Sequence, residues 1–244
     1  MPDLKNLSSI KYLQETKLSH SKMQEPRPTI EQCPDFKEYP GAEKLNLPPV
    51  KEKNTKNLWQ TLQERRSHRR FASTGLSLDD LSHLLWAAQG ITAQAGSYFF
   101  RTAPSAGALY PIETYIGINN VEDTKSGLYH FSPAQFMLEK LYEGFIGQHI
   151  AQAALGQRFL ADCNVVFIWS AVFRRNMSKY GNRGLRYILM DVGHICQNLV
   201  LAAESLGLGT CPVAAFFDDE MNDLLDLDAV SYTHLTLPRQ SAGV

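Results

Sequence analysis

The apolar positions change period several times along the chain, and those changes predict its elements. Leu185, Ile188, Val192, Ile195, Leu199, Ala202 and Leu206 recur at alternating steps of three and four, which predicts a long helix over 184–206 with Gly207 at its stop. Cys196, Leu201 and Ala203 add apolar surface beyond that stripe, so this helix should be buried on more than one side. A second three-four stripe (Leu78, Leu81, Leu85, Ala88) follows Ser77, an N-cap with Asp80 in the capping-box position, and Gly90 closes it. Leu58, Trp59 and Leu62 give a shorter helical face over 57–66, and 145–159 reads as another helix. Alternation predicts strands over 112–118 and 127–131, the continuous apolar run 165–171 a buried strand, and 210–217 one more. Helices and strands are therefore mixed, which defines an α+β domain.

The two ends depart from this pattern. Residues 1–55 hold Pro2, Pro26, Pro28, Pro34, Pro40, Pro48 and Pro49, more than half of the 12 prolines, and should wrap as an extended arm, with a short helix near 9–18. The globular domain then spans 56–230. Its last part, 218–228, carries six acids in eleven positions, with Met221, Leu224 and Leu225 spaced for a short amphipathic helix. Residues 231–244 read as an atypical tail that fits nothing before it.

Composition narrows the class. The chain has 244 residues, 44% hydrophobic and 20% charged, enough apolar material for a sizeable core and incompatible with wholesale disorder. A net charge of −1 gives no global field that would recruit nucleic acid or an anionic membrane. The longest apolar run, around 164–173, is short of the roughly 20 residues a bilayer needs, and the first residues lack a secretory pattern. Cys33, Cys163, Cys196 and Cys211 are scattered with no CxxC pair, so neither a disulfide framework nor a metal site is expected, and the chain reads as cytoplasmic.

Four segments could carry chemistry. In ERRSHRRF (64–71), Arg65, Ser67 and Arg69 alternate, so an extended backbone would bring two guanidiniums and a hydroxyl to one side, good donors for a phosphate. A solvated basic cluster or an RNA-binding patch would read the same way. TAPSAGALYPIE (102–113) offers small residues around Pro104, Ser105 and Gly107 that let backbone approach a flat ligand; a plain tight loop into a strand is the alternative. KYGNRGLRYILMDVGH (179–194) puts Lys179 and Tyr180 in a polar, glycine-containing segment before the long helix, where either could move a proton, or simply face solvent. Asp191 and His194 are neighbours on that helix. SLGLGTCPVAAFFDD (205–219) would expose the backbone amides of Ala214 and Ala215 after a glycine turn.

These four segments, in this order and at about this spacing, resemble the nitroreductase superfamily, and within it the SagB-type (ThcOx) dehydrogenases. The likeness extends back into the arm, through YLQETKLS and DFKEYPGAEKLNLP. It implies an FMN-binding α+β fold, a central, mostly antiparallel sheet surrounded by helices, in a homodimer with active sites at the subunit interface. By that analogy Arg65, Ser67 and Arg69 hold the FMN phosphate and ribityl chain, Pro104, Ser105 and Gly107 lie along the cofactor, and the amides of Ala214 and Ala215 sit near the flavin's reactive nitrogen. Lys179-Tyr180 occupies the place of a pair associated with deprotonating an azoline ring. The activity implied is an FMN-dependent oxidation of a small or peptidic heterocycle, within or outside a peptide-modifying complex. An NAD(P)H-linked nitro or quinone reductase and a flavin-less scaffold are the alternatives. In two places the sequence departs from the family: alanines stand where glycine is common at 214 and 215, and 230–244 does not resemble the family's ending. That stretch reads as read-through or a frame error, and no role is assigned to His234 or Arg239.

Overall fold

The computed structural model describes residues 6–23 and 33–227, and the backbone of 231–240. The arm contributes two short helices, α1 (Ser8–Glu15) and α2 (His20–Met23), and a strand, β1 (Glu43–Asn46). There follow α3 (Leu58–Glu64), α4 (Leu78–Gln89), a hairpin of β2 (Ile91–Ala95) and β3 (Tyr98–Arg101), and the strands β4 (Ile112–Ile118), β5 (Gly127–Ser132) and β6 (Met137–Glu143). Next come α5 (Gly147–Ala153), α6 (Phe159–Asp162), β7 (Val165–Val172), α7 (Phe173–Tyr180), α8 (Gly184–Ser205), β8 (Leu208–Val213), α9 (Asp218–Leu224) and β9 (Ser231–Gln240). The seven-stranded sheet runs β1-β6-β5-β4-β7-β9-β8, with antiparallel pairing throughout. Among the described residues no helix is long and apolar enough to cross a membrane.

β7 explains the layering. Its alternate residues Val165, Phe167, Trp169 and Ala171 belong to one buried cluster with Leu81, Leu84 and Leu85 of α4 and Ile188, Ile195 and Leu199 of α8. Val166 and Ile168 face the other way, into a cluster with Ile150 of α5, Leu160 of α6 and Met221 of α9. A strand buried on both faces needs no polar alternation, which is why 165–171 reads as one apolar run. Each large aliphatic side chain so buried contributes roughly 1.5–3 kcal/mol.

The caps follow the sequence closely. Ser77 Oγ accepts from the Asp80 amide at 3.0 Å, and Gly207, with φ +75, ends the turn after α8. Ser77→Ala is expected to cost about 1 kcal/mol of stability, read as a lower urea midpoint at unchanged slope.

Several expectations are corrected. The helix predicted over 145–159 stops at Ala153, because Leu155 and Gly156 take the left-handed conformation (φ +58 and +72), and resumes as α6. The strand predicted to Phe217 ends at Val213, so Ala214 and Ala215 lie in the exposed loop beyond it. Lys179 and Tyr180 are not in a loop but in the last turn of α7. The apolar face of α3 points outward: Leu58, Trp59 and Leu62 are 58%, 78% and 45% exposed, and Thr61 is the residue it buries. The arm is not merely extended, since β1 forms the sheet's edge against β6 and Leu47 joins the core. The short helix expected near 9–18 is α1, which starts one residue earlier and ends three residues earlier.

Candidate active site

Arg65, Ser67 and Arg69 lie on extended backbone. Ser67 bridges Thr210 of β8 in parallel, and the His68 amide donates to the Thr210 carbonyl at 2.8 Å. In strand-like backbone alternate residues share a side, which is the arrangement the Ser67 bridge favours for the three side chains. Among the described residues none of the three has a hydrogen-bond or ion-pair partner. Two uncompensated guanidiniums and a hydroxyl on one side suit a phosphate or another dianion, by bidentate charge-assisted bonds. Arg69 also lies close enough to Cys211 for its charge to matter: burial pushes that thiol up, and the guanidinium partly offsets the shift. The first and fourth motifs are thus neighbours, and the loop of Ala214 and Ala215 leaves β8 just past them.

The second and third motifs form another group. The loop into β4 is held in sparsely populated conformations, with φ +67 at Gly107, +55 at Ala108 and +42 at Tyr110. Conformations of this kind persist where surrounding contacts fix them, often at functional sites. One such contact is Ser105, whose hydroxyl donates to Asp191 of α8 at 2.6 Å and accepts from the Tyr110 amide at 2.9 Å. The proton of Ser105 is therefore committed within the chain, and its side chain shapes the loop instead of donating to a ligand. Burial raises the Asp191 carboxyl above the usual range, although Ser105 and the Ala106 amide donate to it. Among the described residues, the space that Ser105 lines with Pro104, Asp191 and Ile195 does not admit a water molecule. Pro104 and Gly107 lie on the exposed outer face of the same loop.

That outer face meets the lysine-tyrosine pair. A Cβ placed on Gly107 would stand 2.5 Å from Tyr180 Oη and 2.8 Å from Lys179 Nζ. Glycine is thus required there twice, by backbone conformation and by the two polar atoms over it. Gly107→Ala is expected to cost about 1 kcal/mol or more in chemical denaturation and to displace both side chains from the loop. Tyr180 also packs edge-on against Tyr187, with centroids 4.8 Å apart. His194, the neighbour of Asp191 in sequence reasoning, has a buried Nδ1 without a partner among the described residues.

Arg175, in the first turn of α7, had no signal in the sequence. Its Nε donates to the Pro34 carbonyl of the arm (2.8 Å), Nη1 donates to the Tyr110 carbonyl (3.1 Å), and Nη1 pairs with Glu113 Oε1 of β4 (2.6 Å). Glu113 Oε2 faces His130 Nε2 at 3.0 Å, and His130 Nδ1 faces Glu139 at 2.9 Å, all with side chains at most 5% exposed. Burial would raise Glu113, but the His130 hydrogen bond and the charges of Arg175 and Arg101 hold its carboxyl at about 2. This buried network fixes the helix that carries Lys179 and Tyr180. Beside it a cleft of about 1040 Å³ opens between Phe36, Phe99, Phe173 and Arg174, and a smaller one of about 220 Å³ reaches Tyr110 and Ser178.

Comparison with known proteins agrees with this architecture. The Nitroreductase family pattern matches residues 62–237. Over 194 residues the chain is 39% identical to MJ1384 of Methanocaldococcus jannaschii, a protein named as a nitroreductase, covering 80% of this chain and 94% of that one. The chain belongs to the nitroreductase family, whose members are oxidoreductases. It is also 31% identical over 140 residues to the microcin B17-processing protein McbC of Escherichia coli, covering 52% of this chain and about half (49%) of McbC. The Escherichia coli microcin synthetase McbBCD complex, with truncated pro-MccB17 bound, shares the fold at a TM-score of 0.61 and 22% identity, over 96% of this chain and 87% of that one. Similarity to a peptide-processing protein agrees with the resemblance to the SagB-type subgroup.

Proposed function

We propose that the protein is an FMN-dependent dehydrogenase that oxidises an azoline-like ring on a small molecule or peptide. The observation that carries this reading is the meeting of Lys179, Tyr180 and Gly107 beside an exposed small-residue loop. Arg65, Ser67 and Arg69 would hold the FMN phosphate and ribityl chain, since their side-chain donors have no partner among the described residues and the strand-like bridge at Ser67 favours a common side. The outer face of Pro104, Ser105 and Gly107 would lie along the cofactor, and the amides of Ala214 and Ala215 would offer hydrogen bonds to its ring. When bound, the flavin supplies a two-electron acceptor.

The chain's own part is binding, orientation and proton movement. Oxidising an azoline to its aromatic ring removes a hydride and a proton, so a base must stand at the ring carbon. Lys179 and Tyr180 are the candidates, adjacent and held over Gly107. The exposed apolar stripe of Leu58, Trp59 and Leu62 supports a homodimer in which a second copy would cover that stripe. Peptide-modifying partners, and NAD(P)H as a transient reductant, are further parts of the proposal. Similarity to MJ1384 favours testing reduction of a nitroaromatic or quinone as the second reading. The deciding experiment is anaerobic mixing of the FMN-loaded protein with a peptide bearing one azoline ring. Loss of the flavin's visible absorbance with formation of the azole supports the proposal, and an unchanged spectrum together with NADH-driven nitro reduction favours the second reading.

A further inference from the structure

Helix α1 spans eight residues and buries none of them, too short to hold its shape alone in water. It is held by polar contacts gathered on the turn that follows Lys179 and Tyr180. Arg183 Nη1 donates to the Thr16 carbonyl at 2.6 Å, Arg186 Nε donates to the Thr16 hydroxyl at 2.8 Å, and Arg186 also donates to the Leu13 carbonyl. The Tyr12 hydroxyl donates to the Asn182 carbonyl at 3.1 Å. Thr16, at the end of an otherwise open helix, is only 7% exposed.

These contacts continue into the candidate catalytic pair. Arg183 Nε donates to the Tyr187 hydroxyl at 2.8 Å, and the Tyr187 ring packs edge-on against Tyr180, which stands over Gly107 with Lys179. The turn between has little packing of its own: Gly181 has φ +56, and a Cβ there would meet nothing within 4 Å. We propose that α1 is a latch whose docking through Thr16, Arg183 and Arg186 sets the position of Lys179 and Tyr180, with Arg183 as the positioning residue. The latch rests on the reading of Lys179-Tyr180 as the acid-base pair, but it is testable without substrate.

The test compares the full chain, a chain lacking residues 1–17, Arg183→Ala, and Thr16→Val beside Thr16→Ser. Amide exchange across 180–187 is expected to quicken by about tenfold in the first three variants, and in Thr16→Ser to stay as in the full chain. Acylation of Lys179 by an amine reagent should change in the same order, with exposed Lys125 as the unaffected internal control. With the azoline peptide, kcat should fall by about tenfold at unchanged KM in the latch variants. Exchange and Lys179 labelling that are the same in the truncated and full chains would overturn the latch. Undiminished oxidation by Lys179→Ala, with a clear latch effect on labelling, would instead overturn the acid-base reading and leave the latch a conformational device only.

Discussion

Glu113→Ala is expected to remove about 3–5 kcal/mol of stability, because it leaves Arg175 buried without its carboxylate and His130 with Glu139 as its one remaining carboxylate partner. Against a total of roughly 5–15 kcal/mol for a domain, that is a large part of the margin. The same carboxyl makes a pH prediction. Its folded-state value, about 2, lies below the ordinary 4.5, so the stabilisation it provides is complete above pH 4.5 and is lost as pH falls from there towards 2. Urea midpoints of the wild type and the variant should therefore lie far apart at pH 7 and draw closer as pH falls from 4.5 towards 2. A gap of the same size throughout would show that Glu113 is not ionised in the network. Since Arg175 also ties α7 to the arm and to Tyr110, the variant should lose the order of the Lys179–Tyr180 turn before the rest of the domain unfolds.

Lys179→Ala has the largest expected effect on activity. General acid-base groups contribute about 10²–10⁴-fold, and a drop of that order is expected in single-turnover oxidation of an azoline peptide. FMN occupancy should stay as in the wild type, because no phosphate donor is touched. Tyr180→Phe separates the pair: it removes the hydroxyl over Gly107 but keeps the ring that packs on Tyr187. If the lysine is the base and the tyrosine its partner, the phenylalanine variant should lose less than the alanine variant. Turnover by Lys179→Ala equal to that of the wild type would remove Lys179 from the chemistry.

Local signals in the chain were dependable where the physics is local. The three-four stripe of α8, the Ser77 cap and the Gly207 stop depend on neighbours a turn away, and each stands where the sequence places it. The order of the four motifs pointed to the family for the same reason. What escaped the sequence depends on long-range pairing. β6 is a strand because β1, from the arm, and β5 pair with it, and nothing in MLEKLYE announces either partner. The outward face of α3 has the same apolar spacing as a core face, so periodicity could not tell the interior from an exposed surface. Arg175 and Glu113 meet only because β4 and α7 are brought together by the fold. The part Ser105 plays in holding its loop was not legible either, because its acceptor, Asp191, is distant in sequence.

The central claim is that Arg65, Ser67 and Arg69 grip a phosphate. Its most direct test is the ratio of affinities for FMN and riboflavin, which differ only in that group, measured by flavin fluorescence quenching on the wild type and on Arg65→Ala/Arg69→Ala. The wild type is expected to bind FMN at least about 100-fold more tightly than riboflavin, as two charge-assisted arginine contacts should allow, and the double variant to bind the two nearly alike. Equal affinity for both flavins in the wild type, or a preference for FMN that survives loss of both arginines, would contradict the claim.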